Sequence, residues 1–291
     1  MASSIGGAVS RTISSPARAF VLIFLLSFVV RAVLLISWVD SRKHFYRLGS
    51  GIEDRVALSL LRTGQFADPY MIPTGPTAHP PPLWPGILAL IYSAFGITAT
   101  AGYVRGIVAI SSYSTLFGLL PWFGRKLGLG TGSGVLAGIV GALMPQQGPD
   151  EIIGWGVSAH AALALGLLTV AFLHRWTTER SSTAGSLLLG LGCGAAFHLK
   201  PPLLLVVLGY LIFELWWKRG QSRWFLCACV VAGAVLACVP WTWRNYTALH
   251  SFFFIRSNFG IELRIANQPG ADADGDVAYA RLGTVRHPSE N

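Results

Sequence analysis

The chain has 291 residues, of which 53% are hydrophobic and only 12% charged, with a formal net charge of +9. Its mean hydropathy is +0.54. A charged fraction about half that of a soluble domain excludes a disordered chain and an ordinary soluble globule. The 33 glycines follow no triplet period, which removes collagen and suits the close backbone approach of membrane helices. The basic residues lie scattered between apolar runs. The positive charge therefore points to membrane lipid or an anionic lipid-linked substrate, and not to nucleic acid.

A membrane-crossing helix takes about 17–25 mostly apolar residues. In chain order the expected spans are 19–39, interrupted only by Arg31, then 103–123, and 135–145 extended back through 130–134. They continue with 152–173, 184–199, 201–217 and 224–241, the polar knot at 198–202 separating two of them. The apolar core 19–30 has the length of a signal peptide, but no A-x-A site follows, and it reads as an uncleaved signal-anchor. The apolar run 83–95 has only 13 residues, and the positive-inside rule decides its role. With the N-terminus and its Arg11 and Arg18 in the cytoplasm and 83–95 not crossing, three basic connections share the cytoplasmic side. They carry Arg125 and Lys126, Arg175 and Arg180, and Lys218, Arg219 and Arg223. If 83–95 crossed, all three would move outside.

The expected fold is thus an all-α, polytopic membrane helix bundle. It has a cytoplasmic segment 1–18, a bundle over 19–241 with an external juxtamembrane loop 40–102 between the first two spans, and an external tail 242–291. Cys193, Cys227, Cys229 and Cys238 sit in apolar runs, and Cys227-x-Cys229 lacks metal-ligand spacing. All four read as small core residues.

Residues that carry chemistry should be polar groups at the outer face. The stretch from Ile52 to Arg62 has a helical pattern, with Ile52, Val56 and Leu60 on one side and Arg55 and Arg62 turned away. This suits a helix lying on a membrane surface. Glu53 projects near Leu60 and Ala57 and is either an active-site carboxylate or part of a capping box with Ser50. Asp54 beside it reads as a first-turn charge. The prolines of 73–85 enforce extended backbone, either as a connector or as the rim of a substrate groove, with His79 the one ionisable side chain within it. Asp150 and Glu151 fit helix-start electrostatics or a divalent ion. Lys200, between two apolar runs, either snorkels or binds a phosphate. Arg244, Arg256 and Arg264 follow the last span, and arginine suits bidentate phosphate contacts. Arg31 is an intramembrane charge, which marks either function or packing.

Three stretches together carry a resemblance. They are GIEDRVALSLLRTGQFADPY at 51–70, TGPTAHPPPLWP at 74–85, and PWTWRNY at 240–246 paired with IRSNFGIEL at 255–263. The set resembles the family 39-like membrane glycosyltransferases of bacteria, members of the GT-C superfamily and relatives of protein O-mannosyltransferases and of the aminoarabinose transferases of lipid A. The likeness runs from about Arg31 to the C-terminus. It implies a multi-helix bundle in the bacterial inner membrane, an extracytoplasmic active site, and a sugar donor carried on a polyprenyl phosphate. It implies Glu53 as the loop acid, with Asp54 and His79 as further catalytic candidates. It implies donor-phosphate binding by Lys200, Arg244, Arg256 and Asn258. His79 stands where an aromatic is more usual, and Trp84 replaces a tyrosine. Family members continue beyond the RSNFG motif with more helices or an external domain, so the chain reads as a C-terminally truncated member.

The implied reaction needs no cofactor, and a divalent ion near Asp150 and Glu151 is compatible but not demanded. The rival readings are a transporter or flippase for a lipid-linked molecule, served by broken helices at 198–202 and 145–149, and an inactive remnant of a glycosyltransferase.

Overall fold

The structure, a computed structural model, describes residues 15–39, 51–144, 156–178, 182–218 and 221–267. It is all-helical, as expected for a membrane bundle. The helices are α1 (Pro16–Val39), α2 (Ile52–Thr63), α3 (Leu83–Phe95), α4 (Ala99–Lys126), α5 (Thr131–Leu143), α6 (Gly156–Thr177), α7 (Thr183–Leu199), α8 (Leu203–Trp217), α9 (Gln221–Leu249) and α10 (Phe259–Ala266). Four contain segments long and apolar enough to cross a membrane, Pro16–Ser37, Ala99–Lys126, Ser158–Thr177 and Ser222–Leu249. The other three expected spans form apolar helices of 13, 17 and 15 residues, α5, α7 and α8. At 1.5 Å per residue these reach roughly 20–26 Å, short of the ~30 Å hydrocarbon core.

The bundle has two distinct ends. At one, Lys126 donates to Thr177, Arg175 to Ser186 and Glu214, and Arg223 to Glu214. The three basic connections therefore meet at this basic end. At the other, α2 and α3 form a layer over the ends of α4 and α7, with Ala57, Trp84, Leu88, Tyr92, Ala101 and Leu199 in one core cluster. α3 belongs to this loop end and packs beside the bundle's ends, as expected of a segment that does not cross.

Glycine sets the spacing between the helices. Gly106 abuts Leu35 and Gly118 abuts Phe20, so α1 and α4 run antiparallel. Between α7 and α9 the backbones touch. A Cβ on Gly190 would stand 2.9 Å from Gly233 Cα and closer still to the Val230 carbonyl. This close approach lets the 17-residue α7 lie parallel to α9 although α8 intervenes in the chain. A core of Leu168, Phe172, Phe197, Val207, Leu211 and Val230 joins α6 to α9. The four cysteines are buried and free, as expected of core residues.

The short α5 has a physical reason for ending where it does. The last carbonyls of a helix lack intrahelical donors. Arg31, 2% exposed in the middle of α1, supplies them. Its Nη1 donates to the Ala142 carbonyl at 3.0 Å and to Ser27 Oγ at 2.8 Å, and its Nη2 to the Gly141 carbonyl at 3.0 Å. The guanidinium also lies 4.8 Å from the Phe117 ring centroid. The arginine within this apolar helix is a buried cap for the end of α5.

The turn between α7 and α8 reverses the chain. Arg175 touches Ser186 near the start of α7 and Glu214 near the end of α8, so the two helices are antiparallel. The 198–202 knot is a reversal at the loop end and does not interrupt a single helix, which removes that support for the transporter reading. The 145–149 break lies outside the described residues.

Replacing Gly190 by valine is expected to lower stability by roughly 1–3 kcal/mol through overpacking, read as a drop in Tm in detergent. Gly192→Ala, where an added Cβ meets nothing within 4 Å, is the control and should hold or slightly raise Tm, since alanine favours a helix interior over glycine.

Candidate functional site

The loop end is built on α2. Its first two turns are enclosed by protein, since Asp54, Val56, Ala57 and Ser59 are all buried although they point to different sides of the helix. The expected surface helix is therefore corrected to an internal strut with only its C-terminal turn exposed. The reason lies outside the local pattern, because α4 supplies a partner for the acid. Asp54 Oδ1 receives Arg105 Nη1 at 2.7 Å, and the Tyr92 hydroxyl donates to the same oxygen. Arg105 Nη1 also reaches the Tyr92 oxygen at 2.7 Å. Burial pushes the Tyr92 phenol well above its ordinary value, with Arg105 opposing and Asp54 reinforcing the rise, so it stays a proton donor to the carboxylate. Asp54 is the buried acid that locks α2, α3 and α4 together, and its reading as a mere first-turn charge is corrected. Both of these contacts fall on its Oδ1.

Glu53 differs from its neighbour. It is half-buried, and its carboxylate makes no hydrogen bond or ion pair among the described residues. The N-cap of α2 is Gly51, without a side-chain cap, and Ser50 of the expected capping box lies outside the described residues.

The loop after α2 folds as a small hairpin. Asp68 adopts φ +54°, tolerated because its Oδ1 accepts the amides of Thr74 at 2.9 Å and Gly75 at 2.8 Å. Thr77 donates its amide to the Phe66 carbonyl at 3.1 Å and Asp68 to Gly75 at 3.0 Å. α9 grips this hairpin from outside. Arg244 Nη1 donates to the Thr77 carbonyl at 2.6 Å and Nη2 to the Phe66 carbonyl at 2.5 Å. The same guanidinium lies 5.3 Å from the Phe66 ring and 5.0 Å from the Trp241 ring.

The rest of the 240–246 motif holds the returning strand-like segment. Trp241 Nε1 and Asn245 Nδ2 donate to the Ile255 carbonyl at 3.1 and 3.4 Å, Asn245 also to Phe253 at 3.1 Å, and Thr242 Oγ1 to Phe254 at 2.7 Å. That segment binds the proline-rich stretch in turn, through Arg256 Nε to the His79 carbonyl at 2.7 Å and Ser257 N to the Ala78 carbonyl at 2.9 Å. The three motifs that stand apart in sequence thus form one hydrogen-bonded unit.

The expected site residues fall into three groups. Arg244 and Arg256 hold backbone carbonyls of the loop, a structural duty that phosphate binding would have to share. Arg244 has five guanidinium N–H groups and uses three of them on the two carbonyls and Asn245 Oδ1. His79 is half-buried with Nδ1 3.2 Å from the Tyr70 hydroxyl, and Asn258 is buried at the start of α10. Lys200 is exposed at the C-cap of α7, beside Leu199 of the α2–α3 core. Glu53, His79, Lys200, Arg244, Arg256 and Asn258 all belong to the loop end. Asp150 and Glu151 lie outside the described residues, and among those described no three His, Cys, Asp or Glu side chains gather as metal ligands would.

Sequence reasoning missed Arg105, Tyr92, Asn245, Trp241 and Asp68 as organising residues. It also missed His160, buried with Nδ1 2.9 Å from Ser112 Oγ and its ring 4.4 Å from that of Trp84. Arg105 carried a usable signal, a charge inside an apolar run, the same one that drew attention to Arg31. No family model, curated protein or solved structure matches the chain.

Removing one partner of the buried ion pair should cost far more than removing the free acid. Arg105→Met is expected to destabilise by roughly 3–5 kcal/mol, because Asp54 is left buried and uncompensated. Glu53→Gln should change stability by less than about 0.5 kcal/mol. Chemical denaturation followed by tryptophan fluorescence compares them, and equal losses would erase the distinction between the two acids.

Proposed function

We propose that the chain is an integral membrane glycosyltransferase that moves a sugar from a polyprenyl-phosphate donor to a hydroxyl acceptor at the extracytoplasmic face. One observation supports this reading most. Of two adjacent loop carboxylates, Asp54 is locked in the scaffold, while Glu53 is half-buried at the same end with no hydrogen bond or ion pair among the described residues. The meeting of the 51–70, 74–85, 240–246 and 255–263 stretches in one unit also fits a resemblance carried by those stretches. The gathering of basic connections at the opposite end, which the positive-inside rule assigns to the cytoplasm, supports this sidedness.

The chemistry divides between two kinds of group. The acceptor hydroxyl oxygen attacks the anomeric carbon as the bond from that carbon to the phosphate oxygen breaks. Glu53 takes the hydroxyl proton as general base. Negative charge grows on the departing polyprenyl phosphate, where Lys200, the exposed cation at the α7 end, and the unused donors of Arg244 stabilise it. Attack opposite the leaving group inverts the anomeric centre. Asp54, Arg105 and Tyr92 hold α2 so that Glu53 keeps its position, and His79 and Asn258 stand in the wall formed by the stitched loop.

The test uses the purified chain, radiolabelled polyprenyl-phosphate sugars extracted from membranes, and lipid or peptide hydroxyl acceptors. The expected result is release of polyprenyl phosphate coupled to labelled product. Glu53→Gln should lower the rate by about 10²–10⁴-fold with the fold intact, and Lys200→Ala should weaken donor use by about tenfold. Absence of transfer by the folded protein across these donors, or full activity in Glu53→Gln, would sink the reading.

A further inference from the structure

The end of the bundle opposite the loop gathers cations around one buried carboxylate. Glu214, near the end of α8, is 1% exposed. Its Oε2 accepts from Arg175 Nε at 2.8 Å and its Oε1 from Arg223 Nη1 at 3.1 Å. Arg175 comes from the last turn of α6 and Arg223 from the first turn of α9. A second Arg175 donor, Nη1, reaches Ser186 Oγ on α7 at 2.8 Å, while its Nη2 is buried without a hydrogen-bond partner among the described residues. Lys218 follows Glu214 by four residues, on the same face one helical turn further. It donates to the Trp176 carbonyl and stands 4.4 Å from the centroid of that indole.

Two guanidiniums therefore meet a single carboxylate, and the Lys218 ammonium, one turn along α8, lies against Trp176 instead. A net charge taken out of water is costly unless a counter-ion completes it. Arg175 is 6% exposed and walled in, but Arg223 is 16% exposed and can meet a ligand from outside. Next to these cations in the chain, Trp216, Trp217 and Trp224 are 69%, 67% and 64% exposed. Indoles at that position fit the headgroup level of a bilayer.

We infer that the ends of α6, α8 and α9 form a binding site for an anionic phospholipid. Its phosphate is held by Arg223 and Lys218 in front of the Arg175–Glu214 pair, and its acyl chains run along the face of Trp216, Trp217 and Trp224. The tryptophans alone would fit any bilayer lipid; the excess positive charge selects the anionic headgroup. A soluble phosphate would meet the same cations without the apolar face. This holds whatever chemistry occupies the loop end.

The experiment is native mass spectrometry and thermal unfolding of the full chain in detergent. The additions are phosphatidylglycerol, phosphatidylcholine or inorganic phosphate. Phosphatidylglycerol is expected to stay bound and raise Tm, and the other two are not. Lys218→Ala and Arg223→Gln should each weaken phosphatidylglycerol retention by about tenfold, while Arg125→Ala, exposed on α4, should leave it unchanged. If Arg223→Gln fails to fold, Lys218→Ala decides alone. Equal retention of both lipids, stabilisation by inorganic phosphate as large as that by phosphatidylglycerol, or full retention in Lys218→Ala would overturn the assignment.

Discussion

Backbone carbonyls without water are the constraint on which this structure depends. A helix that stops inside an apolar bundle, or a loop folded against one, leaves acceptors that nothing in a bilayer core can satisfy. Here arginine satisfies them. Arg31 caps α5 from the middle of α1, Arg244 holds both strands of the loop hairpin, and Arg256 holds the proline-rich stretch. A guanidinium suits this duty because it is always charged, planar and rich in donors, so one side chain serves two or three carbonyls at once. Its burial is further eased by aromatic faces, Phe117 for Arg31 and Phe66 with Trp241 for Arg244.

The same constraint bears on where two of the shorter apolar helices end. α5 stops where Arg31 can meet its carbonyls. α7 stops under the α2–α3 layer, where Leu199 joins the Ala57–Trp84 core and the 200–202 turn reverses the chain. The irregular backbone is covered by protein at these points. The loop-end layer thus serves two purposes: it roofs the short helices, and it presents Glu53 beside a scaffold fixed by the Asp54–Arg105–Tyr92 contacts. Stability and the placement of the candidate site are one problem here.

Much of this was legible in the sequence. Apolar run lengths and the three basic connections placed the helices and the two ends, with 83–95 as a short helix at the loop end. The motifs at 51–70, 74–85, 240–246 and 255–263 marked the stretches that meet at the loop end. What was not legible depends on contacts between distant elements. The helical wheel of α2 favoured Glu53 for the inner side because its apolar arc takes no account of Arg105, 51 positions away, which draws Asp54 inward. The duties of Arg244 and Arg256 were obscure for a related reason. Charge pattern identifies an arginine as a phosphate ligand or an anchor, but no local pattern reveals that its partners are the carbonyls of residues 66, 77 and 79.

The central claim, that arginine donors to backbone carbonyls hold the loop end together, is tested most directly by hydrogen–deuterium exchange in Arg244→Gln. The amides of Asp68, Thr77 and Ser257 report on the hairpin and its tie to the segment after α9. The account predicts that these three lose protection together in the variant, while amides in the middle of α4 and α7 exchange as slowly as before. Unchanged protection at Asp68, Thr77 and Ser257 would contradict it.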